Sequence, residues 1–172
     1  MLSRVRRLPF GPAGRAAHGT LHTMYVVIGA DHAGFPAKQA VFDHLVAAGH
    51  RVEDVGAMSD DPVDFPDVAL QVCRHVLDQD AERGLLICGT GIGASMAANK
   101  VNGIRAALAH DVYSAHQCVE HDNANVLCLG AQIVGGALMR ELIDTFLRAK
   151  WEPVEPFTSR VAKLEALEER WR

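Results

Sequence analysis

The chain has 172 residues, 49% of them hydrophobic and 22% charged, with a formal net charge of -4. Those values suit one domain with a sizeable core, and the charge gives no support to binding nucleic acid or an anionic membrane surface. The apolar runs are far too short to span a membrane. Cys73, Cys88, Cys118 and Cys128 lie far apart without a Cys-x-x-Cys pair. Such spacing argues against a metal site or a disulfide framework and for a reducing cytoplasm.

Met1 to Thr23 carries Arg4, Arg6, Arg7 and Arg15 and no acidic residue. It lacks the apolar core of a secretory signal and the serine enrichment of a transit peptide. It reads as a disordered extension or the product of an upstream start codon, with the folded domain over 24–172. From Met24 the chain alternates apolar strands with amphipathic helices. Strand Tyr25–Gly29 leads through Ala30-Asp31-His32-Ala33-Gly34 into a helix over 36–48, with Pro36 in its first turn and Gly49 at its end. Strand Arg51–Val55, a loop to Phe65 and a helix over 66–79 follow. Strand Leu85–Cys88 runs into a glycine turn and a helix over 93–100. Strand Ile104–Ala109, an Asp111-capped helix to Glu120, strand Val126–Leu129 and a helix over 135–150 complete the alternation. Thr158 is expected to cap a last helix ending near Trp171. Strands separated by helix-length segments imply right-handed crossovers and a parallel sheet covered on both faces. In such sheets ligands bind beyond the carboxyl ends of the strands.

Leu85-Leu86-Ile87-Cys88-Gly89-Thr90-Gly91-Ile92-Gly93 is the most informative segment. A buried strand ends in a thiol and enters a turn whose glycines let backbone N–H groups approach a ligand. The following helix start favours an anion at the same spot and gives Cys88 a reason to be partly ionised. Cysteine is also a common apolar filler, but the three glycines after it favour function. No Lys-Ser or Lys-Thr closes a Walker A loop, and the third glycine comes one residue early for a dinucleotide fingerprint.

Two further groups could carry chemistry. Asp31-His32 follows the first strand and could bind sugar hydroxyls or orient a proton shuttle; the plainer alternative is an Asx turn with a solvated histidine. His121-Asp122-Asn123-Ala124-Asn125 could supply a general acid, or be only a polar loop of turn formers. Asp31-His32, Cys88-Gly89-Thr90 and His110-Asp111 all follow strand ends, so one crevice could hold them. His44, His50, His75 and His116 read as surface or boundary residues.

Taken together, Asp31-His32-Ala33-Gly34, Cys88-Gly89-Thr90-Gly91-Ile92-Gly93, Ala97-Ala98-Asn99-Lys100, Gly103-Ile104-Arg105-Ala106-Ala107 and Asn125-Val126-Leu127 resemble the type B ribose-5-phosphate isomerases and the related galactose-6-phosphate isomerases. The resemblance covers nearly all of residues 24–171. It implies a Rossmann-like three-layer α/β/α fold with a five-stranded parallel sheet and a C-terminal helix. It also implies an aldose–ketose isomerase that needs no metal or cofactor. The enzyme would work as a homodimer or dimer of dimers, its active site built across the dimer interface. By the same resemblance Cys88 is the base of an enediolate mechanism, and His121 the acid that opens the sugar ring. Thr90 with the backbone of Gly89, Gly91, Ile92 and Gly93 would hold the oxyanion. Asp31, His32, Asp122, Gln132 and Arg160 would bind the sugar phosphate.

Four positions depart from the family pattern. Asp122 stands where the family has Asn, Phe65 where it has Tyr, and Gln132 where a phosphate-contacting arginine is usual. The second C-terminal arginine falls near Glu155-Pro156. Each lost charge-assisted contact is worth about 1.5–3 kcal/mol. Ribose 5-phosphate is the leading substrate, with a tetrose or hexose phosphate as the alternative. A non-catalytic sugar-phosphate-binding module or a cysteine hydrolase fits the residues less well.

Overall fold

The computed structural model describes residues 23–78 and 81–170. The N-terminal extension read from the sequence, apart from Thr23, lies outside the described residues. Five strands form one parallel sheet: β1 (Tyr25–Ala30), β2 (Arg51–Asp54), β3 (Arg83–Cys88), β4 (Ala106–Leu108) and β5 (Val126–Gly130). Their order is β2-β1-β3-β5-β4, and every neighbouring pair is parallel. Successive side chains point to opposite faces. Val26, Ile28, Leu85, Ile87, Leu127 and Leu129 therefore pack on one side, and Val27, Leu86, Val126 and Cys128 on the other. This two-sided burial is why the central strands read as continuous apolar runs.

The helices divide between the faces. α1 (Phe35–Ala47), α4 (Val112–Glu120) and α5 (Gly136–Arg148) cover the first, with Phe146, Leu142 and Met139 seated in its core. α2 (Phe65–Leu77) and α3 (Ile92–Ala98) cover the second through Val68, Val72, Ala94 and Ala98. Full burial of a side chain such as Phe146 contributes roughly 1.5–3 kcal/mol. α6 (Phe157–Arg170) closes the chain, with only Val161 buried. The chain leaves β1 toward β2 and leaves β3 toward the opposite sheet edge. The carboxyl ends of β1 and β3 thus diverge to opposite faces, and a crevice opens between them.

Element boundaries shift where a side chain overrides the apolar pattern. β3 starts at Arg83, earlier than the Leu85 expected, because Arg83 and Gly84 already pair with Val26 and Val27. β4 is short: the Asn99 carboxamide takes the N–H of Ala106 at 2.9 Å and its carbonyl at 2.8 Å, closing the outer edge. Asp111 caps α4 as expected, accepting from Ser114 N at 2.8 Å. Thr158 does not cap α6. It lies inside the helix, whose first residue is Phe157, and its hydroxyl donates to Glu155 Oε1 at 2.5 Å. His50, read as a surface or boundary residue, is buried, and its Nδ1 accepts from Met24 N at 3.3 Å.

Candidate active site

The site grows from the crevice between β1 and β3. Asp31 follows β1, and its N–H donates to Ile87 O at 3.2 Å, which ties the turn to the last strand residues before Cys88. Its buried carboxylate accepts from Ala33 N at 3.0 Å and Gly34 N at 2.9 Å. The Asx turn is therefore real, and it aims the carboxylate at the helix start. Gly34 allows this approach: a Cβ there would stand 2.0 Å from Ile87 O and 2.9 Å from Cys88 N. No other residue permits α1 to begin so close to β3.

Cys88 is half-buried at the end of β3. Burial pushes its thiol above the usual range, the hydrogen bond to the Asp31 carboxylate pushes it further, and the N–H groups of Gly91 and Gly89 pull the other way. The expectation that the helix start would leave Cys88 partly ionised is thus corrected. The turn does supply N–H groups to the sulfur, but desolvation and a facing carboxylate outweigh them. Gly91 makes the turn possible with φ of +79°, a left-handed conformation that favours glycine. Thr90 is exposed, and its hydroxyl accepts from Ile92 N at 3.4 Å.

Three other segments wall the crevice. His32 is exposed, and its Nδ1 accepts from Val63 N at 3.3 Å. An accepting Nδ1 leaves the neutral ring's proton on Nε2, free to donate. The Phe65 ring lies on Gly93, with ring atoms 2.9–3.3 Å from where a Cβ would stand. The Gln132 carboxamide lies on Gly89 in the same way, at 3.2–3.3 Å, while the Gln132 backbone N–H donates to Gly89 O at 3.0 Å. Ala131 N donates to Cys88 O at 2.8 Å. The sequence offered His110 as a strand-end residue the crevice could hold but gave it no role; its Nε2 accepts from Gly130 N at 3.1 Å and so steadies the segment that carries Gln132. Its only signal was its place directly after a strand. Among the described residues, no group of three or more His, Cys, Asp or Glu side chains is placed to hold a metal ion.

His121, Asp122 and Arg160 lie elsewhere. β3 and β5 run in register from Gly84 and Val126 to Cys88 and Gly130. His121 ends α4, which brings the chain back to the start of β5. About 13 Å of strand separates that edge from the Cys88 edge. There the His121 ring stacks on Phe157, with centroids 3.9 Å apart and planes at 15°. Its Nδ1 accepts from Gln117 Nε2 at 2.9 Å. Exposed Asp122 follows it, and exposed Arg160 lies one helical turn beyond Phe157. The site residues implied by the resemblance thus form two groups at opposite edges of the sheet within one chain.

A family model described as Ribose/Galactose Isomerase matches residues 26–164. The chain belongs to that family, and it is a sugar-phosphate isomerase, an intramolecular oxidoreductase. It is 44% identical over 146 residues to D-erythrulose-4-phosphate isomerase 2 of Mycolicibacterium smegmatis, covering 83% of this chain and 96% of that one. It is 39% identical over 145 residues to ribose-5-phosphate isomerase B of Escherichia coli, covering 84% and 97%. The solved structure of Clostridium thermocellum ribose-5-phosphate isomerase B superposes with a TM-score of 0.84 at 40% identity, covering 87% of this chain and all of that one. No helix among the described residues is long and apolar enough to cross a membrane.

Proposed function

We propose that this isomerase interconverts ribose 5-phosphate and ribulose 5-phosphate, with Cys88 as the base. The observation that carries the reading is the half-buried Cys88 thiol at the strand switch, beside the buried Asp31 carboxylate that raises it and the Gly91 and Gly89 N–H groups that lower it. As thiolate, Cys88 removes the proton from C2 of the open-chain aldose. The C2–H electron pair becomes the C1=C2 bond of an enediolate, and the negative charge moves to O1. The glycine-turn backbone and Thr90 stabilise that charge. The thiol then returns the proton to C1 while the O2 proton passes to O1, so that C2 becomes the ketone carbon and C1 a primary alcohol. Asp31 and the Nε2–H of His32 hold the sugar hydroxyls.

The site takes its second half from another copy of the chain. His121 and Arg160 stand at the sheet edge opposite their own Cys88, and a two-fold pairing would deliver them across the interface. An exposed apolar patch of Ile92, Met96, Leu108, Val112 and Tyr113, on the segments after β3 and around the end of β4, supports such a pairing. In this reading His121 donates the proton that opens the ring, and Arg160 meets the phosphate.

A tetrose phosphate is the second reading, and a specific pair of residues favours it. Neutral Gln132 lies over Gly89 where the resemblance calls for a cation, and exposed Glu155 carries a carboxylate held ionised by Thr158 and Ser159. The relative at 44% identity bears the name of a D-erythrulose-4-phosphate isomerase. Isomerisation assays without added metal across tetrose, pentose and hexose phosphates decide between them. Dominant turnover of ribose 5-phosphate supports the first reading; dominant turnover of a tetrose phosphate replaces it with the second.

A further inference from the structure

Lys38 is the only buried lysine among the described residues, and the proposed chemistry does not use it. It sits in the first turn of α1, 3% exposed. An ammonium has three donors, and three acceptors surround this one: Asp54 Oδ1 at 2.6 Å, Ala57 O at 2.5 Å and Gly56 O at 3.1 Å. A cation held out of water is costly unless its partners are complete, as they are here. Two of the three belong to one loop.

That loop runs from β2 to α2 and walls the crevice. Between Val55 and Pro66 only Gly56 and Ala57 are buried, and these are the residues whose carbonyls Lys38 holds. Ala30 N donates to Gly56 O at 2.7 Å and Ala57 N to Ala30 O at 2.5 Å, so the anchor is fastened directly before Asp31. Gly56 N also donates to Asp54 Oδ1 at 3.1 Å. Beyond the anchor the chain is largely exposed until Val63 N reaches His32 and the Phe65 ring reaches Gly93.

We propose that Lys38 is a positioning residue that latches the loop over 56–65 onto the end of β1, so that His32 and Phe65 hold the sugar phosphate. This rests on the isomerase reading, and its test separates the two. Lys38→Met is compared with Lys38→Met/Asp54→Asn, in which Asn keeps an oxygen for Gly56 N but no unpaired, half-buried charge remains. Ribose 5-phosphate and D-erythrulose 4-phosphate are the assayed substrates, and the His32 tautomer is followed by imidazole nitrogen NMR. Both variants are expected to raise KM about tenfold with kcat changed less than about threefold, the signature of lost uniform binding. His32 is expected to lose its fixed Nε2–H tautomer in both. The double variant is expected to recover melting temperature without recovering KM.

If KM recovers together with melting temperature, Lys38 is only a structural cation and the proposal fails. Unchanged KM and unchanged His32 tautomer in a folded variant overturn it as well. Should the single variant not fold, the double variant carries the test. A wild type that turns over neither substrate counts against the assignment of substrate, while the His32 spectrum still judges Lys38.

Discussion

The two edges of the sheet carry the two halves of the expected site, and they are built by different physics. At the carboxyl edge, backbone geometry does the placing: diverging crossovers open the crevice, Gly34 lets α1 approach β3, and Gly91 turns the chain back over Cys88. At the amino edge, His121 is held by a ring stack on Phe157 and a carboxamide from Gln117. The first group forms a cradle within one chain. The second is a surface group that the proposed function uses only against a second copy of the chain. Residues that one motif set groups together can therefore stand far apart within a single chain.

The comparison breaks most visibly at Cys88. Cys88→Ala is expected to lower kcat by about 10³-fold, within the range for loss of a proton-transfer group, with the folded state kept. Near-normal turnover of that variant would move the base elsewhere. A smaller loss is expected for His121→Ala, and it depends on substrate form. Cyclic sugar phosphates should slow by about 10²-fold, whereas an acyclic aldose phosphate of the same chain length should keep its rate. Equal losses on both would place His121 in the proton transfer itself or in binding.

The carboxyl edge can be sharpened by pH. Burial first, and Asp31 next, hold the Cys88 thiol above the usual range, so the thiolate forms only at more alkaline pH. kcat/KM should therefore rise with pH through that titration. Asp31→Asn removes a raising influence, and the rise should move to lower pH even as the plateau falls. An unmoved pH profile would show that Asp31 does not face the thiol in the working enzyme. The smallest effect concerns stability. Burial raises the Cys73 and Cys118 thiols from 9.0 to about 11. A raised folded value stabilises the fold below the unfolded value, and that stability is lost as pH rises from about 9 toward 11. Urea unfolding across that window should show the decline, and Cys73→Ala/Cys118→Ala should reduce its slope.

The strands and helices were readable because apolar alternation and turn residues act locally. Asp111 and Gly49 mark ends of α4 and α1 as their chemistry demands. The boundaries that moved did so through contacts between distant residues, such as Asn99 closing the edge of β4. The Asp31 and Cys88 segments were also readable, since each follows a strand and carries its own turn. The state of the Cys88 thiol was not, because it depends on burial and on a carboxylate brought beside it by the β1–β3 pairing. Lys38 gave no signal, since a lysine in a first helical turn ordinarily points to solvent. The separation of His121 from Cys88 follows from α4 returning the chain to the start of β5, a topological fact that spacing along the sequence does not express.

The two-edge account is tested most directly by mixing Cys88→Ala and His121→Ala proteins under conditions of subunit exchange and assaying a cyclic sugar phosphate. Random pairing makes half the dimers mixed, and each mixed dimer holds one site with both residues intact if the site spans two chains. The account predicts recovery to about a quarter of wild-type activity from two nearly inactive parents. Activity no greater than the average of the parents, with exchange verified, would contradict it and return both residues to a single chain.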